Sequence, residues 1–159
     1  MLKEKRCEQP AKSVIREYFG ENHWSGYNLD DCVEHGMERA KKTGKHFSWL
    51  TCTNRGAAEV CEAALRVLDI TQEELKKGYA CDPTSQSKLR IVAKKGVLLR
   101  LTRNFDKRRG FVNGAIVRVF EDLGDGVIIA ELIENGCMVL IHEMEEKGRI
   151  FLPCCYGYA

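Results

Sequence analysis

The chain has 159 residues, 44% of them hydrophobic and 30% charged, and a formal net charge of +2. That composition belongs to a soluble globular protein with one ordinary core or two small ones and excludes a disordered tail. No apolar run approaches the roughly 20 residues that cross a bilayer, and the opening MLKEKRCEQPAKS has charge but no apolar segment behind it, so an intracellular protein without membrane span or secretory signal is expected.

Along the chain the pattern begins with a helix. Leu29, Val33, Met37 and Ala40 recur at helical spacing to make one apolar stripe, Asn28 or Asp30 is placed to cap its start, and Gly44 is a natural stop. The run HFSWLTCT, from His46 to Thr53, is rich in β-branched and aromatic residues and predicts a short buried strand. Asn54-Arg55-Gly56 then turns into a second helix whose apolar face is Ala57, Val60, Cys61, Ala64, Leu65 and Leu68. Thr71 followed by Glu74 is a capping-box signature for a third, short helix that holds Leu75 and stops before Gly78.

At the polar connector Asp82-Pro83-Thr84-Ser85 the hydrophobic period changes from helical to alternating, and a domain boundary is expected there. Five strand-like runs follow: Val97 to Thr102, Ala115 to Glu121, Gly126 to Ile133, Cys137 to Glu143 and Arg149 to Leu152. Asp125-Gly126 and Asn135-Gly136 reach positive φ cheaply and fit tight hairpin turns, and Glu146-Lys147-Gly148 supplies another turn. The expected fold class is therefore α+β: a helical lead over 1–47, a strand-and-helix unit over 48–87, and over 88–159 a small five-stranded β-barrel, SH3-like or OB-like, with an exit strand.

The modest net charge conceals an asymmetry. From Lys88 to Arg118 there are ten Lys or Arg against the single acid Asp106, whereas from Val119 to Lys147 eight acids face only Lys147. The eight cysteines (Cys7, Cys32, Cys52, Cys61, Cys81, Cys137, Cys154 and Cys155) form no CxxC pair, and the histidines His23, His35, His46 and His142 do not complete a ligand spacing. No metal site is expected, and the thiols read as small core hydrophobes kept reduced. Trp24, Trp49 and Tyr79 read as core or rim aromatics rather than stacking platforms.

Two stretches carry chemistry. SWLTCTNRGAAEVCEAAL, from Ser48 to Leu65, sets Thr51, Thr53, Asn54 and Arg55 where a strand would end and a helix begin. Free backbone N–H groups and the helix dipole attract anions at such a point, and a guanidinium adds a bidentate phosphate donor. The plainer reading is that Thr53 or Asn54 caps the helix while Arg55 is solvated. GVLLRLTRNFDKRRGFVNG, from Gly96 to Gly114, runs from strand into a loop that gathers Arg103, Lys107, Arg108 and Arg109 around Asp106 and closes on Asn113-Gly114. Phosphate is the natural partner of that loop, and a solvated surface loop is its plainer reading. No GxxxxGK[ST] phosphate loop occurs, so the chain is not expected to hold and hydrolyse a nucleotide by itself. His142 and Glu143, adjacent on one strand, point to opposite faces, and Cys154-Cys155 lacks a committed histidine partner.

Taken together, LTCTNRGAAEVCEAAL followed by GVLLRLTRNFDKRRGFVNG resembles the carboxyl-terminal half of RecD-like superfamily-one DNA helicases, which move 5′ to 3′, over roughly Trp49 to Ala159. The resemblance implies that 48–87 is a fragment of the second RecA-like motor domain and that 88–159 is its SH3-like insertion. Arg55 would be the catalytic arginine that reaches the terminal phosphate of ATP bound between two RecA-like domains, with Thr53 and Asn54 beside the same nucleotide cleft. Arg103, Asn104, Lys107, Arg108, Arg109 and Asn113 would mark a nucleic-acid-binding junction into the insertion.

The same resemblance implies ATP and Mg2+ as cofactors of the intact parent protein, with none for this chain alone. Its partners would be single-stranded DNA, weakly held, and a first RecA-like domain absent from these residues. Strand edges left without their neighbours could pair with a second copy. The competing reading is a non-enzymatic module whose small barrel recognises protein or RNA, favoured by the acidic strands.

Overall fold

A computed structural model describes residues 28–85 and 88–159. Cys7, His23, Trp24 and the first 27 residues of the expected helical lead lie outside the described residues. The architecture is α+β: three helices precede a five-stranded antiparallel sheet.

Helix α1, Leu29–Thr43, starts where the Asn28 side chain accepts from Asp31 N–H and stops at Gly44, whose φ of 67° is left-handed. Asp30 and Asp31 in its first turn and Lys41 and Lys42 in its last suit the helix dipole at both ends. Helix α2, Asn54–Val67, is capped by Thr53 and buries Val60, Cys61, Ala63, Ala64 and Leu65. The two helices pack together, and Arg66 of α2 binds Asp30 of α1 at 2.6 Å across their exposed margin. Helix α3, Gln72–Lys77, carries the full capping box: Glu74 N–H donates to Thr71 Oγ1, and Thr71 N–H donates to the Glu74 carboxylate.

The strands are β1 (Leu98–Leu101), β2 (Ile116–Gly124), β3 (Val127–Leu132), β4 (Met138–His142), β5 (Met144–Glu146), β6 (Arg149–Phe151) and β7 (Cys154–Tyr156). The main sheet has the order β4-β3-β2-β1-β7, and β5 and β6 form a separate hairpin. Leu99, Leu101, Val117, Val119, Ile128, Ala130, Leu132 and Ile141 alternate inward on four of the strands and are all buried. They belong to one core cluster that also takes in Val33, Val60, Ala64, Leu65 and Ile70 from the helical part. The β2–β3 hairpin turns on Asp125 and Gly126 at φ 50° and 78°, two successive left-handed residues, which matches the twist of the flanking strands. Val112 to Ala115 is a turn closed by Ala115 N–H donating to Val112 C=O, with Gly114 at φ 91° in the position that demands glycine.

Two expectations are corrected. His46 to Thr53 is not a strand: among the described residues the segment finds one backbone ladder partner, Trp49 N–H donating to Tyr158 C=O, and Leu50 is 100% exposed. A β-rich composition forms a strand only where a neighbouring strand takes its backbone groups, and none lies beside these residues among those described. The sheet is also open, not closed into a barrel. The β7 edge is occupied by the connector, since Asp82 N–H donates to Cys154 C=O and Leu152 N–H donates to Ala80 C=O. On β4, Cys137 C=O and Glu143 N–H bond towards β3, so the backbone groups of Met138, Leu140 and His142 face the other way. There the Arg109 guanidinium donates to Met138 C=O at 2.9 Å. The connector thus lies along the β7 edge, and at the β4 edge Arg109 takes the first outward carbonyl.

Candidate functional site

The TNRGAAE turn forms the N-terminus of α2. Thr53 Oγ1 accepts from Gly56 N–H at 3.0 Å, so Thr53 is the helix cap, and Thr51 Oγ1 donates to Thr53 C=O. Gly56 lies close against this turn, where an added Cβ would sit 3.3 Å from Thr51 Cβ and from Thr53 Oγ1. Asn54 and Arg55 are the first two helical residues. Arg55 projects into solvent with its side chain 89% exposed and Nε 2.8 Å from Glu59 Oε1, one turn on. A cation at the positive end of a helix is opposed by the dipole, and Glu59 offsets part of that cost. Among the described residues, no other group holds the guanidinium, which leaves it free to meet an anion brought from outside.

The basic loop divides into structural and free cations. Arg103 Nε binds Asp82 Oδ2 at 3.0 Å, and its Nη2 binds Glu146 Oε2 at 2.9 Å. Asp82 is fully buried and also accepts from Thr102 Oγ1, Thr84 Oγ1 and Thr84 N–H. Burial pushes its carboxyl up, but the hydrogen bonds from Thr102, Thr84 and Arg103 outweigh that and hold it below the usual carboxylate value. Asn104 Oδ1 accepts from Asn113 N–H and so closes the loop's base. Asp106, the one acid among the cations, accepts from the N–H groups of Arg108 and Arg109 and starts a single 3-10 turn, Lys107–Arg109. Arg109 lies 5.3 Å from the centre of the buried Phe111 ring while donating to Met138 C=O. Among the loop's cations, Lys107 and Arg108 have side chains without a hydrogen bond or ion pair to the described residues.

Asn113 and Gly114 border a shallow hollow of about 260 Å³ that Thr84, Thr102, Arg100 and Cys155 also line. Arg100 Nη2 lies 3.6 Å from Cys155 Sγ there. The structure thus gathers Arg103, Asn104 and Asn113 around one loop base and sends Lys107 and Arg108 outward. Among the described residues no hydrogen bond or ion pair links that loop to Arg55.

A second concavity, of about 570 Å³, lies between the end of α1, the segment after it and the β1–β2 margin. Lys41, Lys45, Lys95 and Arg118 surround it, and Phe47, Trp49 and Tyr158 form part of its floor. No carboxylate is among the described residues that line it. His46 contributes a buried Nδ1 without a hydrogen-bond partner, although its Nε2 lies 2.8 Å from Ser48 Oγ. Burial, and then Arg118, lower the His46 pKa from its ordinary value. Sequence reasoning overlooked this groove because HFSW was assigned to a buried strand, yet the interleaving of cations and aromatics in KKTGKHFSW was a visible signal.

The described cysteines form no disulfide, and Cys61, Cys154 and Cys155 are buried. Burial pushes the Cys61 and Cys154 thiols up, which disfavours the nucleophilic thiolate. Among the described residues no three His, Cys, Asp or Glu side chains come together to hold a metal, and no helix is long and apolar enough to cross a membrane. The chain matches no protein-family model, and comparison with curated proteins finds no significant match.

Proposed function

We propose that this chain is part of the second motor domain of a RecD-like superfamily-one DNA helicase together with the β insertion of that domain. The observation that carries the reading is Arg55, presented almost fully exposed at a helix N-terminus within TNRGAAE and upstream of RNFDKRRGFVNG. In this reading the helices α2 and α3 belong to a RecA-like unit, and the open sheet is the insertion. ATP would lie between this unit and a first RecA-like domain outside these residues, which would supply the phosphate loop and the Mg2+ ligands. Arg55 would donate to the terminal phosphate and stabilise the charge that develops as the phosphoryl group leaves. Lys107 and Arg108 would guide single-stranded DNA by binding its phosphates, because the other loop cations are engaged within the protein.

A titration of labelled single-stranded DNA at several salt concentrations tests the DNA part of this reading. Weak binding that falls steeply with salt is expected. Replacing Lys107 and Arg108 with alanine should reduce the slope of log K against log salt by about 0.7 for each phosphate that the variant no longer neutralises. Absence of binding at low salt would remove the proposed DNA interaction.

A second reading, a non-enzymatic module that binds protein, is favoured by one observation. Phe120 and Leu123 are exposed on β2, which also carries Glu121 and Asp122, and Met138 and Leu140 are exposed on β4. A basic partner would suit that surface.

A further inference from the structure

We infer that the groove between α1, the segment 44–49 and the β1–β2 margin binds a nucleotide unit, with its phosphate on Lys41, Lys45 and Lys95 and its base against Phe47 and Trp49. The inference does not rest on the helicase reading, since neither Arg55 nor the basic loop lines the groove.

Two independent features agree on this chemistry. The first is charge: four cations and no carboxylate line the groove among the described residues. Arg39 adds a fifth cation beside it, 5.8 Å from the centre of the Phe47 ring. Lys41 and Lys45 have no acid partner within the described residues, whereas Arg118 is 3.6 Å from Glu131. Like charges held around a concave, partly apolar surface lower the free energy of an incoming anion and cost stability in its absence.

The second feature is the floor. Phe47 and Trp49 are partly exposed, and the Trp49 N–H to Tyr158 C=O bond ties Trp49 to the fully buried Tyr158, whose hydroxyl accepts from Leu98 N–H. A base placed there gains stacking and apolar burial, which is sequence-tolerant because every base has a π-face. The volume of about 570 Å³ falls in the range of small-molecule sites.

A nucleotide reaches such a groove free in solution or as one unit of a single strand, and the test separates the two. Calorimetric titrations of the chain with AMP, with an oligothymidylate and with pyrophosphate would be compared with those of Lys41→Glu/Lys45→Glu, both positions being exposed. A Phe47→Leu variant removes stacking without touching charge. Binding of AMP or the oligonucleotide that weakens about tenfold or more in the charge-reversal variant, and also weakens in Phe47→Leu, is expected. AMP binding identifies a free nucleotide, and oligonucleotide binding alone identifies a strand. Failure of both ligands to bind, undiminished affinity in the charge-reversal variant, or pyrophosphate binding as tightly as AMP would each overturn the inference. Lys107→Ala/Arg108→Ala leaves this site intact, so loss of binding there and not in the groove variant would also overturn it.

Discussion

The buried carboxylate of Asp82 holds the guanidinium of Arg103 at 3.0 Å, tying the connector that follows the helices to the start of the basic loop. Arg103 is thereby committed to the fold. Its hydrogen bonds explain why an acid tolerates full burial: each carboxylate oxygen is satisfied, by Thr84 on one side and by Thr102 and Arg103 on the other.

Asp82→Ala is expected to cost about 3 kcal/mol, because it strands Thr102, Thr84 and the partly buried Arg103 together. The carboxyl has a lowered pKa in the folded state, so its stabilising contribution is complete above the unfolded value and is lost as pH falls through the folded one. Urea denaturation followed from neutral to acid pH should show a falling midpoint in the natural chain and a flatter acid limb in Asp82→Ala. Equal acid dependence in both proteins would contradict this.

Tyr156→Phe is expected to destabilise by about 1 to 3 kcal/mol. The hydroxyl accepts from Val92 N–H and donates to Arg90 C=O, both at 2.9 Å, so its removal leaves two backbone groups unpaired near the core. Thermal or urea unfolding measures the loss, and an unchanged midpoint would show that water replaces the hydroxyl without cost.

Gly36→Ala tests the packing of α1 on the segment that leads to the groove. An added Cβ would collide with the Trp49 ring, so the ring must move or the helix must shift. A cost of about 1 to 3 kcal/mol and a changed tryptophan emission are expected. Natural emission with natural stability would mean that Trp49 is not held against Gly36.

Within the basic loop the arginines should separate. Arg109→Ala removes both the bond to Met138 C=O and the packing on Phe111 and should cost about 1 kcal/mol. Arg108→Ala should leave stability within about 0.5 kcal/mol and act only on DNA affinity. The reverse order in unfolding measurements would reassign the two.

The helices and their ends were legible in the sequence because caps are local chemistry: Asn28 and Gly44 bound α1, and Thr71 with Glu74 starts α3. Hairpins were legible for the same reason at Asp125-Gly126, where two left-handed residues must follow each other. The strand assigned to His46 to Thr53 failed because strand formation depends on a neighbour that composition does not reveal. The closed barrel failed likewise, since whether β4 and β7 meet is decided by long-range pairing, and the order β4-β3-β2-β1-β7 leaves them apart. Of the candidate site, Arg55 was legible as an exposed cation at a helix start. The structural uses of Arg103, Asn104 and Arg109 were not, because residue type alone does not distinguish an arginine bonded to a buried aspartate or a carbonyl from one facing solvent.

The proposed role of Arg55 is tested most directly by DNA-stimulated ATP hydrolysis in the polypeptide that carries these residues together with a phosphate-loop domain. Arg55→Ala should lower kcat by about 10³-fold or more, since an arginine acting on the leaving phosphoryl group has that magnitude. Its stability should change by no more than about 0.5 kcal/mol, as expected for a solvent-exposed pair with Glu59. An Arg55→Ala enzyme that hydrolyses ATP at the natural rate would contradict that role.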